Sequence, residues 1–437
     1  MSEAESVATL AARPNRFTAF TSRLRGSSPG ALVLGGSLIM LLSMGFVNLF
    51  NFAYNVFMAR ELGPAEFGHI NAAVAILLIA SCVSLSFQLV CTKFVARNQA
   101  ESGRAGVFHY LLRRSWMISL PLGVGLFLAQ RPVAEYLNLP DPWLMGVLAI
   151  GIGIYAPVGV KRGAMQGTCS FIRLGSNFVL EALTRFVVGV LLVVFGYGTL
   201  GAVGAISAAV VVAYFFPRVP PGLRTNSHIA ESPSFAEALQ AIVFFVGQVI
   251  INNVDILMVK HYFAAEPAGI YAALAQVGRL LYFVCWFGIV NAMFPVSAAA
   301  REDDGRRSHT LMLPVVLVLG VSALFVLVVA LFPHFIMSVI FGAKFAQTES
   351  LLAWYAAATA LYSLCVVLIA YEMSRRIANT GWLQLLFSGA LVLSIGAFHG
   401  TLREVVAVRI VLMAVMLVMV SFPFVRRHRQ ALTPEAA

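Results

Sequence analysis

Long apolar stretches, separated by short polar connections, run the length of this chain. Twelve can be drawn, near 31–58, 68–92, 107–129, 143–160, 173–196, 199–216, 237–259, 268–298, 310–332, 347–371, 380–398 and 404–425. A helix of roughly 20 residues crosses a hydrocarbon core of ~30 Å. The stretch near 333–345 is too short for that and reads as an interfacial helix. Lipid cannot hydrogen-bond an open backbone, so such a chain is expected to be an all-α integral membrane protein of about 12 transmembrane helices.

The connections carry the charge, and their basic content alternates from one to the next. Of the 30 Lys and Arg, five (Arg60, Arg131, Lys260, Lys344 and Arg403) fall on one set of connections, and three (Arg185, Arg279 and Arg409) fall inside apolar stretches. The remaining 22 fall on the other set and the two tails. By the positive-inside tendency the second set is cytoplasmic, with both termini. Arg13, Arg16, Arg23 and Arg25 precede the first stretch without a short apolar core and cleavage site, so 1–30 reads as a retained cytoplasmic tail. Trp116, Trp143, Trp354 and Trp382 lie near predicted helix ends, as an aromatic belt requires.

Composition agrees with this reading. The 437 residues are 60% hydrophobic and 11% charged, with mean hydropathy +0.86, whereas soluble domains carry roughly 25% charged residues. A net charge of +11 suggests nucleic acid until its placement is considered. It marks topology, and no nucleic-acid partner is expected. Cys82, Cys91, Cys169, Cys285 and Cys365 are scattered without CxxC spacing, so neither disulfide nor metal site is expected. There is no GxxxxGK[ST], HExxH or GxSxG, and no connection is long enough for a catalytic domain. The sequence therefore offers no catalytic residue and no cofactor, and the chain is read as not an enzyme.

The longest inner connection contains RVPPGLRTNSHIAESPS and divides the chain into two six-helix halves. The expected layout is a tail at 1–30, a lobe at 31–217, a linker at 218–236, a second lobe at 237–425 and a tail at 426–437. Ser234 and Glu237 have capping-box spacing at the start of the seventh stretch. Shifting the sequence by 201 residues aligns Asn51 with Asn252, Gly68 with Gly269 and Ala72 with Ala273. A pseudo-repeat of two lobes around a central cavity follows.

Charges inside a bilayer cost several kcal/mol, so each needs a reason. Arg185 has Glu181 one turn before it on the same face, either a self-neutralised structural pair or a cavity site for an anion. Arg279 lies about 16 Å into its helix, counted at 1.5 Å per residue, with no acidic neighbour on its own turn. Gln248, Asn252 and Asp255 form one polar stripe, and Asn48, Asn51 and Asn55 form another. Stripes of this kind face a cavity or a neighbouring helix. Arg409, near the outer end of the last stretch, reads as a residue that can snorkel. Glu372, with Arg375 and Arg376, reads as an inner helix end.

Three segments carry a family pattern. FMARELGPAEFGHINAAVAILLIAS resembles the first hairpin of polysaccharide exporters. NNVDILMVKHYFAAEPAGIYAALAQVGRL resembles their seventh-to-eighth hairpin, and KRGAMQGTCSFIRLGSNFVLEALTRFVVG their fourth-to-fifth connection. The chain is similar to the polysaccharide transporters, O-antigen flippases among them, of the multidrug/oligosaccharidyl-lipid/polysaccharide exporter superfamily. The resemblance implies two lobes in a V, alternating access, and export of an oligosaccharide on an undecaprenyl diphosphate-type lipid in the bacterial inner membrane. Asp255, Arg185 and Arg279 best match the family's charged cavity positions, and with the polar stripes the expected substrate contacts are Arg279, Arg185, Asn51, Asn55, Gln248 and Asn252. With no nucleotide site, energy would come from an ion gradient, the membrane potential or consumption of product outside, and Asp255 or Glu181 is a carboxylate able to bind a proton or sodium ion. Partners would be membrane lipids, a polysaccharide polymerase and assembly proteins. Two other readings remain open here: a multidrug extrusion antiporter of the same superfamily, and a scaffold of a polysaccharide assembly machine that transports nothing.

Overall fold

A computed structural model describes residues 29–223, 235, 239–286, 289, 307–348, 350–375 and 380–432. The N-terminal tail, most of the connection at 218–236 and the Ser234–Glu237 pair lie outside the described residues. Within them the chain is helical and contains no strand.

The first helix, α1 (Pro29–Arg97), has 69 residues. At 1.5 Å per residue it would be about three times as long as a bilayer is thick. It breaks at Gly63, whose φ of 81° and ψ of 178° lie outside the range of other residues, and Pro64 begins the second segment where its missing N–H costs nothing. Next come α2 (Glu101–Leu128), the short α3 (Gln130–Tyr136), α4 (Trp143–Gly167) and α5 (Phe171–Leu192). A turn through Gly196 joins α5 to α6 (Gly198–Phe215).

The second half runs through α7 (Leu239–Ile251), α8 (Val254–Tyr262), α9 (Ala265–Cys285), α10 (Arg307–Leu331) and α11 (Pro333–Ile340). It ends with α12 (Ser350–Arg375), α13 (Leu383–Ala397) and α14 (Leu402–Leu432). Among the described residues nine helices are long and apolar enough to span. Two of these, Gly35–Arg97 and Phe171–Phe215, are head-to-tail pairs, and α13 is a shorter apolar helix, so the predicted twelve are recovered. The expected interfacial segment is α11, with Met337 buried and Phe335 exposed.

Two expectations are corrected. The seventh stretch is not one continuous helix, because it unwinds at Asn252 and Asn253 between α7 and α8. Asn252 Nδ2 donates to the Gln248 carbonyl at 2.8 Å, and Asn253 Nδ2 donates to the Val249 carbonyl at 2.7 Å. The side-chain amides thus compete for carbonyls that the backbone N–H groups would take, and the ladder opens. The fourth stretch was expected to end at 160 with Lys161 and Arg162 in an inner connection. Instead α4 continues to Gly167, and both residues are buried in it.

The helices form two lobes. α1, α2, α4, α5 and α6 pack on one another, as do α9, α10, α12, α13 and α14, and α1 is the main bridge between the sets. The bridge is tightest at the Gly63 end of the bundle. Phe67 of α1 packs on Phe341 and Phe345, and the largest buried core holds Tyr54, Met58 and Phe67 together with Ile256 and Tyr271. Leu49, Phe195 and Leu393 stay exposed on the outside of the bundle, where an apolar surface meets lipid.

Candidate functional site

A cavity of about 420 Å³ lies between the lobes. One wall is α1, from Leu41 to Asn55 and again at Val74 and Leu78. Another is α9, from Gln276 to Val284, and α5 adds Arg185. The cavity is closed at Tyr54, 2% exposed, whose hydroxyl donates to the Ala202 carbonyl at 3.0 Å. It is open at the other end, where Leu41 and Val284 are each 56% exposed.

The wall is mostly apolar with a polar stripe. Asn48, Asn51 and Asn55 repeat at three- and four-residue spacing, so one face of α1 presents all three. Gln276 of α9 reaches across the lobes, donating to Asn55 Oδ1 at 3.1 Å and Asn71 Oδ1 at 2.9 Å. Two guanidiniums flank this stripe, Arg185 from the first lobe and Arg279 from the second. Arg185 Nη1 donates to Asn51 Oδ1 at 3.2 Å. Arg279 Nη2 donates to Asn253 Oδ1 at 2.8 Å and to the Asn252 carbonyl at 3.1 Å. The unwinding of the seventh span frees that carbonyl, so the break positions the cavity arginine. Among the described residues no carboxylate lines the cavity.

The structure brings four of the expected substrate residues to this wall: Arg279, Arg185, Asn51 and Asn55. It does not bring Gln248 and Asn252 there as side chains. Gln248 Nε2 donates to the Tyr282 hydroxyl, and Asn252 serves through its backbone carbonyl. Their stripe faces neighbouring helices, the alternative that spacing alone left open.

Both expected coupling carboxylates sit behind the wall and are already paired. Glu181 Oε2 accepts from Arg162 Nη2, while its Oε1 lies 3.2 Å from Arg185 Nη2. Arg162 is fixed further by Asn177, whose Oδ1 accepts from Arg162 Nε at 2.7 Å. Asn177 Nδ2 in turn donates to the Ala213 carbonyl at 2.7 Å. Asp255 is 0% exposed, with Oδ2 accepting from Tyr271 at 2.8 Å, from Tyr355 at 3.1 Å and from Arg409. Asp255 Oδ1 has no hydrogen-bond partner among the described residues. Arg409 therefore does not snorkel as expected. It is 3% exposed and stacks over the Tyr355 ring at 4.7 Å, because the buried carboxylate holds it inside the lobe.

Sequence reasoning missed Arg162, Asn177, Gln276 and Asn71. Asn177 had a signal, since Asn177, Glu181 and Arg185 follow four-residue spacing on one helix face. Arg162 had none, because a basic residue near a helix end reads as topology.

At the closed end the lobes meet through polar contacts. Lys260 Nζ donates to the Asn138 carbonyl at 3.0 Å, and Asn138 Nδ2 donates to the His261 carbonyl at 2.8 Å. Arg60 donates to the Ile340 carbonyl at 3.1 Å and to that of Val339. His261 stacks on Tyr136 with ring centres 3.9 Å apart.

Comparison with known proteins agrees with this architecture. Two uncharacterised proteins from two strains of Mycobacterium tuberculosis are 21% identical over 348 residues, 77% of this chain and 79% of theirs. The inward-facing conformation of a multidrug resistance MATE family transporter superposes with a TM-score of 0.76 at 14% identity, over 92% of this chain and 99% of that one. An outward-facing MATE conformation gives 0.60 at 17% identity, over 94% and 99%. These likenesses fix the fold as the one seen in MATE transporters, and its apolar spans make the chain a multi-pass membrane protein. The family model described as polysaccharide biosynthesis protein matches residues 57–350, so the chain belongs to that family, and family and fold together support an exporter.

Proposed function

We propose that this chain flips a lipid-linked oligosaccharide, carried on an undecaprenyl diphosphate-type lipid, from the cytoplasmic to the outer leaflet of the bacterial inner membrane. The supporting observation is the cavity between the lobes, with one guanidinium from each lobe and no carboxylate on its described wall. A diphosphate cannot cross hydrocarbon alone, because burying its charge without partners costs far more than thermal energy. Guanidinium forks meet phosphate oxygens in two-point, charge-assisted hydrogen bonds. The asparagine stripe supplies donors and acceptors for sugar hydroxyls. The lipid tail stays in the bilayer at the open side.

With the Arg97 end cytoplasmic, as the basic asymmetry implies, the open end faces the cytoplasm and the Tyr54 end faces outward. The lobes, assigned to 31–217 and 237–425, would then rock about this seam to expose the cavity on the other side. Both termini are assigned to the cytoplasm. A polymerase and assembly proteins would take up the exported sugar. If a proton or sodium ion drives the cycle through Glu181 or Asp255, it must displace an arginine that each carboxylate holds in this state.

The fold is shared with multidrug exporters, which makes a cationic drug the competing substrate. A cationic substrate calls for acidic groups on the cavity wall, and the described wall has the opposite charge. The deciding experiment is reconstitution in vesicles with a fluorescent undecaprenyl diphosphate-linked sugar, scored by quenching from outside. Protein-dependent transfer supports the reading. Transfer of a lipophilic cation, with none of the lipid-linked sugar, would replace it with drug export.

A further inference from the structure

Each lobe presents one guanidinium to the cavity, and behind each stands a carboxylate that a second arginine holds. In the first lobe, Arg185 and Glu181 are 3.2 Å apart on one helix. Alone they would form a neutral pair with little attraction for an anion. The buried Arg162 of α4 binds the other oxygen of Glu181, so the three side chains together keep one positive charge. Arg185 is the member of this triad that lines the cavity.

The second lobe repeats the arrangement with different helices. Arg279 lines the cavity, and its hydrogen bonds go to neutral groups, the Asn252 carbonyl and Asn253 Oδ1. Asn253, which accepts from Arg279, stands two residues before Asp255 on the same broken helix. Asp255 is the carboxylate that would otherwise neutralise it. Arg409 pairs with Asp255 directly, so the charge of Arg279 remains uncompensated.

We propose that Arg162 and Arg409 are positioning counter-cations, buried behind the cavity, which silence Glu181 and Asp255 so that Arg185 and Arg279 each offer a full charge to substrate. Two uncompensated positive charges match a diphosphate diester, which carries two negative charges, in preference to a phosphate diester, which carries one. Arg162 and Arg409 never touch the substrate in this scheme. They set the charge that it meets. The inference rests on the lipid-linked sugar reading and specifies the anchor.

The test uses the full chain in lipid nanodiscs. Two probes are titrated, undecaprenyl diphosphate-linked N-acetylglucosamine and undecaprenyl monophosphate-linked glucose. Arg162→Gln lets Glu181 neutralise Arg185, so the diphosphate probe should bind roughly tenfold more weakly, and its advantage over the monophosphate probe should shrink. The double variant Arg162→Gln/Glu181→Gln restores the net charge and should regain most of the affinity, an outcome that lost packing would not give. Unchanged binding in Arg162→Gln, or a double variant as weak as the single, overturns the proposal. Should Arg162→Gln fail to insert, Glu181→Gln carries the test, since it raises the net charge of the triad from one to two and should tighten binding of the diphosphate probe. Equal or weaker binding in Glu181→Gln overturns it. Absence of binding of both probes by the wild-type chain overturns the substrate reading and this inference together, whereas wild-type binding that Arg162→Gln leaves unchanged overturns this inference alone.

Discussion

Gly68 and Gly269, which occupy equivalent places in the two halves of the sequence, touch each other across the lobe interface. A Cβ built on Gly68 would lie 2.9 Å from the Gly269 nitrogen, and one built on Gly269 would lie 1.7 Å from the Pro64 carbonyl oxygen. The obstructing atoms are backbone, so nothing short of a shift of the helices relieves the clash. Gly269→Ala should therefore pry the closed end apart. Spin labels at Arg60→Cys and Ser338→Cys, which face each other across that end, should show a longer distance distribution in Gly269→Ala than in the parent. An unchanged distribution would mean that this contact does not hold the lobes together.

The helices were legible because lipid leaves little choice: the backbone must satisfy itself, and apolar stretches of about 20 residues declare it. The cavity arginines were legible because buried charge is rare enough to stand out. What did not show was the partner of each charge. Asp255 and Arg409 are 154 positions apart, and Arg162 and Glu181 lie on different helices. Periodicity reports which residues share a face, not which faces meet. The break at Asn252 and Asn253 was hidden for a related reason, since Asn252 also fits the helical polar stripe that the spacing suggested.

The Asp255–Arg409 pair should be costly to break and cheap to remove. Truncating one partner of a buried ion pair strands the other charge, at a cost of roughly 3–5 kcal/mol, whereas replacing both partners with neutral groups costs much less. Arg409→Ala should lower the thermal unfolding midpoint in detergent clearly, and Asp255→Asn/Arg409→Gln should recover most of the loss. If Arg409→Ala unfolds at the wild-type temperature, the pair contributes nothing to the fold of this lobe.

Topology has an internal reporter. Among the described cysteines only Cys169, in the turn before α5, is exposed, and it lies at the Arg97 end. Lys344, beside α11, is exposed at the opposite end. A membrane-impermeant maleimide applied to intact cells should leave Cys169 unmodified and should label Lys344→Cys. Permeabilisation should then expose Cys169. Labelling of Cys169 in intact cells would invert the assigned orientation and, with it, the direction in which the cavity opens.

Arg279 gives the sharpest test of the cavity. Its guanidinium divides its donors between the unwound turn at Asn252–Asn253 and the open space in front of it. An ammonium keeps the charge but lacks the planar fork, so it cannot satisfy the turn and a phosphate with the same geometry. Arg279→Lys should therefore retain part of the transport rate in reconstituted vesicles, and Arg279→Ala should lose at least about tenfold, near the lower end of what one charge-assisted hydrogen bond contributes. Asn253 is buried and its Oδ1 loses this donor when the arginine is removed, at a cost of roughly 1–3 kcal/mol, so the thermal midpoint should fall modestly while the protein still inserts at normal yield. Loss of transport at normal yield would tie Arg279 to the substrate. Wild-type transport in Arg279→Ala would remove it from the binding site, and loss of protein together with transport would reduce Arg279 to a brace for the broken helix.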